Sequence, residues 1–228
     1  MVLMSRWCDI ISRMEIKYRH WFFDLDGTLA RTGEDIVVAW KAALMELGRD
    51  LTNFDRVFRI GPTLEKVVYE MYDDATPQLV EDLMTRFKPL YDGGGFPNTV
   101  PYPGVPELLA AIKASGGKAY IVTNKRHIAT QLIAKKFGWD RLLDGVWSYD
   151  TFETKYKKAE LLAKLLKDLG IDPKDAVMVG DTKGDVDAGK ANGMAAIGVT
   201  YGYGTPEEVA EADAVFASAG EIAKNLPK

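Results

Sequence analysis

Trp21, Phe22 and Phe23 form the first dense apolar run of the chain, and it ends at Asp24. Aromatic residues fit a buried, pleated surface, and Gly27 breaks the pattern soon afterwards. The run therefore predicts a strand that starts near Lys17 and leaves the core at Asp24 and Asp26. From Ala30 to about Tyr91 the apolar period becomes helical. Ile36, Trp40, Leu44 and Leu47 recur on one face and stop at Gly48, and Leu79, Leu83, Phe87 and Leu90 repeat the pattern after Thr76 and Pro77. Shorter helical pieces fit residues 54–60 and 64–71, divided by Gly61 and Pro62. The stretch "YDGGGFPNTVPYPG" crowds glycines and prolines together and reads as a linker or hinge closing this helical insert.

From Pro103 onward helix and strand patterns alternate. Strands are predicted at residues 118–123, 145–149, 176–180 and 195–199, with a short one at 214–216 and amphipathic helices between them. That alternation predicts an α/β fold, a Rossmann-like parallel sheet with helices on both faces, and the helical stretch before it reads as an inserted helical domain. The aromatic strand joins the same sheet, so the insert emerges at the sheet's edge. The division expected is an N-terminal extension at 1–16, a core made of 17–30 and 100–228, and the helical region with its hinge at 31–99.

Composition narrows the partners. The 228 residues, 47% hydrophobic and 27% charged, suit a soluble chain with one large domain or two modest ones. With 29 basic and 33 acidic side chains, a net charge of -4 and no basic block, nucleic acid is not the expected partner. The one cysteine, Cys8, leaves no internal disulfide and no cysteine-rich metal site, which fits a reducing compartment. No apolar stretch reaches the roughly 20 residues that span a bilayer, so no membrane is expected. "MVLMSRWCDIISRM" is interrupted by Arg6, Asp9 and Arg13, unlike a secretory leader, and cytoplasm is the expected location, with Met14 a possible alternative start.

In open parallel sheets ligands gather outside the C-terminal ends of the strands. There the chain places Asp24, Asp26 and Thr28 after the first strand, Thr123, Asn124 and Lys125 after the second, and Asp181, Thr182 and Asp185 after "AVMVG". Each group has a plain structural account: an Asp-Gly turn, a helix cap at Thr123 and Asn124, a cap at Asp185. Asp24 precedes the turn and needs something to stabilise its charge. Four carboxylates at one mouth point to a metal ion, a phosphate-transfer role, or both.

"DLDGTL", a threonine ending a hydrophobic strand, a lysine and "VGDTKGD" in this order resemble the haloacid dehalogenase superfamily, in its phosphoglycolate-phosphatase-like branch. The resemblance runs over residues 17–228 and takes in the helical insert and "YGYGTPEEV". It implies a phosphatase acting on a small phosphorylated metabolite with Mg2+. Asp24 would be the nucleophile that forms an aspartyl phosphate, and Asp26 the acid and base, so the two carboxyls need opposite protonation states. Thr123 would bind a phosphoryl oxygen, joined by N–H groups around Leu25, Gly27 and Asn124 and by Thr28. Magnesium would take the Asp24 carboxylate, the Asp26 carbonyl and Asp181, with Asp185 orienting waters or neighbouring groups. The insert resembles the family's cap; residues 59–66 would meet substrate, and Arg59 and Lys66 are candidates for an anionic tail or simply solvated charges.

The family also needs a lysine before "VGD". Leu161, Leu162, Leu165, Leu166 and Leu169 mark the buried face of the preceding helix, and Lys158 points within about 15° of its centre if the helix has begun by then. Lys157 and Lys164 point away, and Lys155 is the alternative if the helix starts later. The related dehalogenases lack the second aspartate, so Asp26 speaks for phosphate chemistry. A pyrophosphatase, a sugar-phosphate mutase or a silent phosphate-binding regulatory module would share the motifs, although loss of one of Asp24, Asp26, Thr123 or Asp181 is expected of the last.

Overall fold

The computed structural model describes residues 17–61 and 64–226, so the expected extension at 1–16, with Cys8, lies outside the described residues, as does the middle of the 59–66 loop. Six parallel strands make the main sheet: β1 (His20–Phe23), β4 (Lys118–Thr123), β5 (Gly145–Ser148), β6 (Ala176–Gly180), β7 (Ala195–Val199) and β8 (Ala214–Phe216), in the order β5-β4-β1-β6-β7-β8. β1 starts at His20, later than expected, although Arg19 already donates to Asp175 O and accepts from Lys118 N. It lies inside the sheet between β4 and β6, so the insert leaves from the middle of the C-terminal edge and not from an outer strand.

Alternation along the strands divides the core. Trp21 and Phe23 face the side that carries Leu108, Leu109 and Ile112 of α5 (Val105–Ala114), Ile133 of α6 (His127–Lys136) and Ile222 of α9 (Ala219–Lys224). Phe22, Tyr120, Val122 and Met178 face the other, against Leu161, Leu162, Leu165 and Leu166 of α7 (Lys158–Leu169) and Ala188 of α8 (Lys183–Ala191). Helices thus cover both faces, as the alternating pattern requires. Leu169 is the exception to the predicted leucine face: it is 44% exposed, in the last turn before the left-handed Gly170 ends the helix.

The insert contains α1 (Gly33–Glu46), α2 (Phe54–Val57), α3 (Leu64–Met71) and α4 (Pro77–Gly93). Trp40, Phe54, Phe58 and Phe87 form its aromatic centre, with Trp40 and Phe58 rings 5.2 Å apart. α2 is shorter than predicted: Phe58 is already extended, with φ −66° and ψ 129°. The glycine-rich linker is also more ordered than a plain hinge. α4 runs to Gly93, and β3 (Val100–Pro101) pairs antiparallel with β2 (Ala30–Arg31), closing the insert at its base. No helix among the described residues is long and apolar enough to cross a membrane.

Asp35, in the first turn of α1, secures the same base. Its buried carboxylate accepts hydrogen bonds from Asn98 N (3.1 and 3.2 Å), Asn98 Nδ2 (3.0 Å) and Thr99 Oγ1 (2.6 Å). Asp35→Ala would leave those donors unsatisfied, and a loss of about 1–3 kcal/mol in unfolding free energy is expected. Urea denaturation followed by circular dichroism checks this, and an unchanged midpoint would show that the clamp carries no stability.

Candidate active site

Strand register brings the chemical groups together. Phe23 lies level with Ile121 on β4 and with Val179 on β6, so two residues further on Leu25, Thr123 and Asp181 stand abreast with Asp24 just below them. Asp24 N donates to Val179 O at 3.0 Å and continues the ladder, after which the chain turns tightly, with Leu29 and Ala30 both donating to Leu25 O at 3.0 Å. Gly27 is required in this turn on two counts. Its φ is +83°, and a Cβ there would fall on the Asp181 carboxylate.

Carboxylate oxygens of Asp24, Asp181 and Asp185 lie within 4.8 Å of one another, and all three residues are buried. Lys158, the first residue of α7, reaches into them: Nζ is 2.9 Å from Asp24 Oδ2 and also pairs with Asp185. Burial opposes its charge, but Asp185 and Asp24 outweigh that and raise its pKa above the usual lysine value. Lys155 is exposed. α7 therefore begins where the leucine spacing needs it to begin for Lys158 to point inward.

Asp185 is also the N3 residue of α8, where its Oδ2 accepts from Thr182 N (3.1 Å) and Thr182 Oγ1 (2.7 Å). Burial raises its pKa while Lys158 works against the rise. Asp181 has no cation beside it among the described residues. It accepts from Thr28 Oγ1 (3.1 Å), Tyr203 N (2.7 Å) and Gly204 N (3.1 Å), yet burial and then Asp24 and Asp185 push its pKa up to about 7. Three buried carboxylates sharing a single lysine form an oxygen donor set short of positive charge, and a hard divalent cation fits it.

Asp26 points elsewhere. One of its oxygens accepts from Thr32 Oγ1 at 2.6 Å, and Lys125 Nζ lies 3.0 and 3.2 Å from the pair. Lys125 in turn sits 4.6 Å from the centre of the Tyr91 ring on α4. It links the second aspartate to the insert, a role the sequence analysis did not give it, although its place straight after Thr123 and Asn124 was the available signal. Beside it Arg126 pairs with Asp92. Tyr91 is 3% exposed, and its hydroxyl has no hydrogen-bond partner among the described residues.

The expected phosphate donors divide. Thr123 is buried and its hydroxyl accepts from Lys125 N at 3.2 Å, which leaves its proton to donate, and Asn124 is exposed at the mouth. Leu25 N donates to Asp24 Oδ1 at 2.7 Å, Gly27 N to Ala30 O at 3.1 Å, and the Thr28 hydroxyl supports Asp181. Gly27 and Thr28 thus shape the turn and hold Asp181. In the insert, Arg59 bonds Glu70 at 2.7 Å and Lys66 stands 4.0 Å from the same residue, so both cations face Glu70. Their loop still approaches the mouth, because a Cβ on Gly61 would lie 3.6 Å from Thr182 Cγ2.

A family profile described as haloacid dehalogenase-like hydrolase matches residues 21–199. A 5'-nucleotidase of Pseudomonas aeruginosa is 33% identical over 198 residues, 85% of this chain and 88% of that protein. A phosphoglycolate phosphatase of Aquifex aeolicus is 32% identical over 186 residues, 79% of this chain and 84% of that one. Among solved structures, a predicted phosphoglycolate phosphatase from Haemophilus somnus superposes with a TM-score of 0.81 at 25% identity, over 92% of this chain and 98% of its own.

The raised pKa of Asp181 has a measurable consequence in metal-free protein. Its folded value, about 7, lies above the unfolded 3.8, so its contribution to stability is complete below about pH 4 and is lost as pH rises through about 7, by at most roughly 4 kcal/mol. Asp181→Asn is expected to flatten that part of the pH dependence in urea unfolding with EDTA present. Parallel curves for wild type and variant would show that Asp181 does not titrate in this window.

Proposed function

The chain belongs to the haloacid dehalogenase-like hydrolase family, and on that premise we propose that it hydrolyses small phosphomonoesters with Mg2+ through an aspartyl phosphate on Asp24. One observation carries the reading: the Asp24, Asp181 and Asp185 carboxylates converge with Lys158 bound to Asp24 at the end of β1. Magnesium held by Asp24, the Asp26 carbonyl and Asp181 would supply the charge that draws a phosphate dianion among carboxylates and offsets charge building on its oxygens.

The remaining steps belong to the chain. An Asp24 oxygen attacks phosphorus while the Asp26 carboxyl gives its proton to the leaving oxygen, releasing the alcohol. Asp26, now a carboxylate, takes a proton from water as that water attacks phosphorus, the bond to Asp24 breaks, and inorganic phosphate is released. Thr123 and Asn124 N hold phosphoryl oxygens, joined by Leu25 N once it leaves Asp24 Oδ1, and Lys158 keeps its ammonium on the nucleophile side, held there by Asp185 and Asp24 against the cost of burial. To act on the leaving oxygen, Asp26 turns away from Thr32, just before α1, and from Lys125, just after β4. Residues 31–99 act as a cap on the core of 17–30 and 100–228, closing over the mouth and choosing the leaving group. Its own contacts fit that part: the loop at 59–61 lies against Thr182, and Tyr91 and Asp92 meet Lys125 and Arg126. Arg59 and Lys66 would then contact an anionic tail only by leaving Glu70.

Phosphate release from a panel of phosphoglycolate, sugar phosphates and nucleoside 5'-monophosphates, with and without Mg2+, tests the proposal. Turnover on none of them with the metal present would overturn it. Asp24→Asn is expected to fold and lose turnover, since an amide is a poor nucleophile. Lys158→Ala should lose at least about 100-fold while the exposed Lys155→Ala stays near wild type. A severe loss at Lys155 with little at Lys158 would remove Lys158 from the site.

A further inference from the structure

The turn after β7 touches two places at once. The backbone N–H of Tyr203 donates to Asp181 Oδ2 at 2.7 Å, and Gly204 N adds a second bond at 3.1 Å. The side chain of the same Tyr203 reaches the base of the insert, where its hydroxyl accepts from Gly33 N at 2.6 Å. Gly33 is the first residue of α1, and its N–H is one of the amides that a helix start leaves without an internal partner. The residue before it, Thr32, makes no side-chain cap: its φ of −106° and ψ of −9° are not the extended geometry of a capping residue, and its hydroxyl donates to Asp26. Tyr203 therefore supplies an acceptor to the first amide of the helix, which has none within the helix.

The fit around this bridge is close. A Cβ on Gly202 would run into the Asp181 side chain and one on Gly204 into the Asp181 carbonyl, so the turn can press against that residue only as glycine. A Cβ on Gly33 would meet Ile60 Cδ1 at 2.6 Å and the Tyr203 hydroxyl at 2.9 Å, so the loop of the insert and the tyrosine both close on the helix start. Tyr201, in the same turn, donates to Thr28 O at 3.0 Å, and its ring lies 4.8 Å from that of Tyr102, the residue after β3.

We infer that Tyr203 is a positioning residue that couples cation binding at Asp181 to the hinge of the insert. The inference rests on the reading of Asp181 as a metal ligand. A cation that fixes the Asp181 carboxylate fixes the acceptor of two N–H groups of the 203–204 turn, and the Tyr203 side chain carries that restraint to Gly33. Linkage requires the reverse as well: a hinge held by Tyr203 raises affinity for the cation.

Two measurements on the full chain, with Mg2+ alone as the probe, test this. Calorimetry reports the affinity, and hydrogen exchange at the Gly33 amide reports the hinge. In wild type, Mg2+ is expected to slow that exchange at least about fivefold, along the same binding curve as the calorimetry. In Tyr203→Phe, which keeps the ring and both backbone N–H groups, exchange is faster throughout, and the Mg2+-dependent slowing falls below about twofold with affinity weaker by about three- to tenfold. A purely structural hydroxyl would speed exchange equally with and without Mg2+, and that result overturns the coupling. Slowing in wild type that fails to follow the calorimetric curve overturns it without need of the variant. Mg2+ binding with no change at Gly33 overturns the coupling and leaves the metal reading standing, whereas no Mg2+ binding by wild type overturns both.

Discussion

Crowding of negative charge at the end of one buried strand is the constraint that organises this molecule. Asp24, Asp181 and Asp185 share a space within 4.8 Å, where water is largely excluded. Isolated charges do not survive there; each must be met by an ammonium, a set of N–H and O–H donors or a cation. Lys158 meets two of them, the Thr182 cap meets Asp185 from the other side, and the turn at 202–204 meets Asp181. The position of α7, the capping box of α8 and the glycines of that turn all follow from this requirement.

Much of this was legible in the order of residues. The parallel sheet, the helical insert and the three groups at the strand ends rest on local signals, namely period, turn residues and the leucine face of α7. That face turns Lys158 inward, where it meets Asp24 and Asp185, because a helix repeats every 3.6 residues whatever surrounds it. What could not be read depends on contacts between distant segments. The 118–123 signal named Lys125, but only the folded chain brings it to Asp26 and Tyr91. "YGYGTPEEV" was recognisable as a motif without any sign that Tyr203 would cross to Gly33, 170 positions away. The β2 and β3 pair escaped notice because two-residue strands have no period, and Leu169 misled because its spacing is right while the helix ends beneath it.

Asp26 illustrates how the insert and the core share responsibilities. Its backbone belongs to the β1 turn, its carboxylate is held by Thr32 and by Lys125, and Lys125 is covered by Tyr91 of α4. A residue of the core is therefore oriented in part by the insert. The Tyr91 hydroxyl, which has no hydrogen-bond partner among the described residues, lies in the same neighbourhood.

The antiparallel pair of Ala30–Arg31 with Val100–Pro101 has a consequence beyond closure. Paired strands lie about 5 Å apart, so the insert enters and leaves the core through a doorway one strand wide. To the sheet, everything between those strands is a single long excursion whose ends are already joined, and loop length itself adds little entropic cost. The insert is then an exchangeable module: segments of other lengths and compositions can be spliced at Arg31 and Val100 while the strand order and the carboxylate cluster keep their register. Diversification by replacement, and chimera building in the laboratory, both have their natural cut points there.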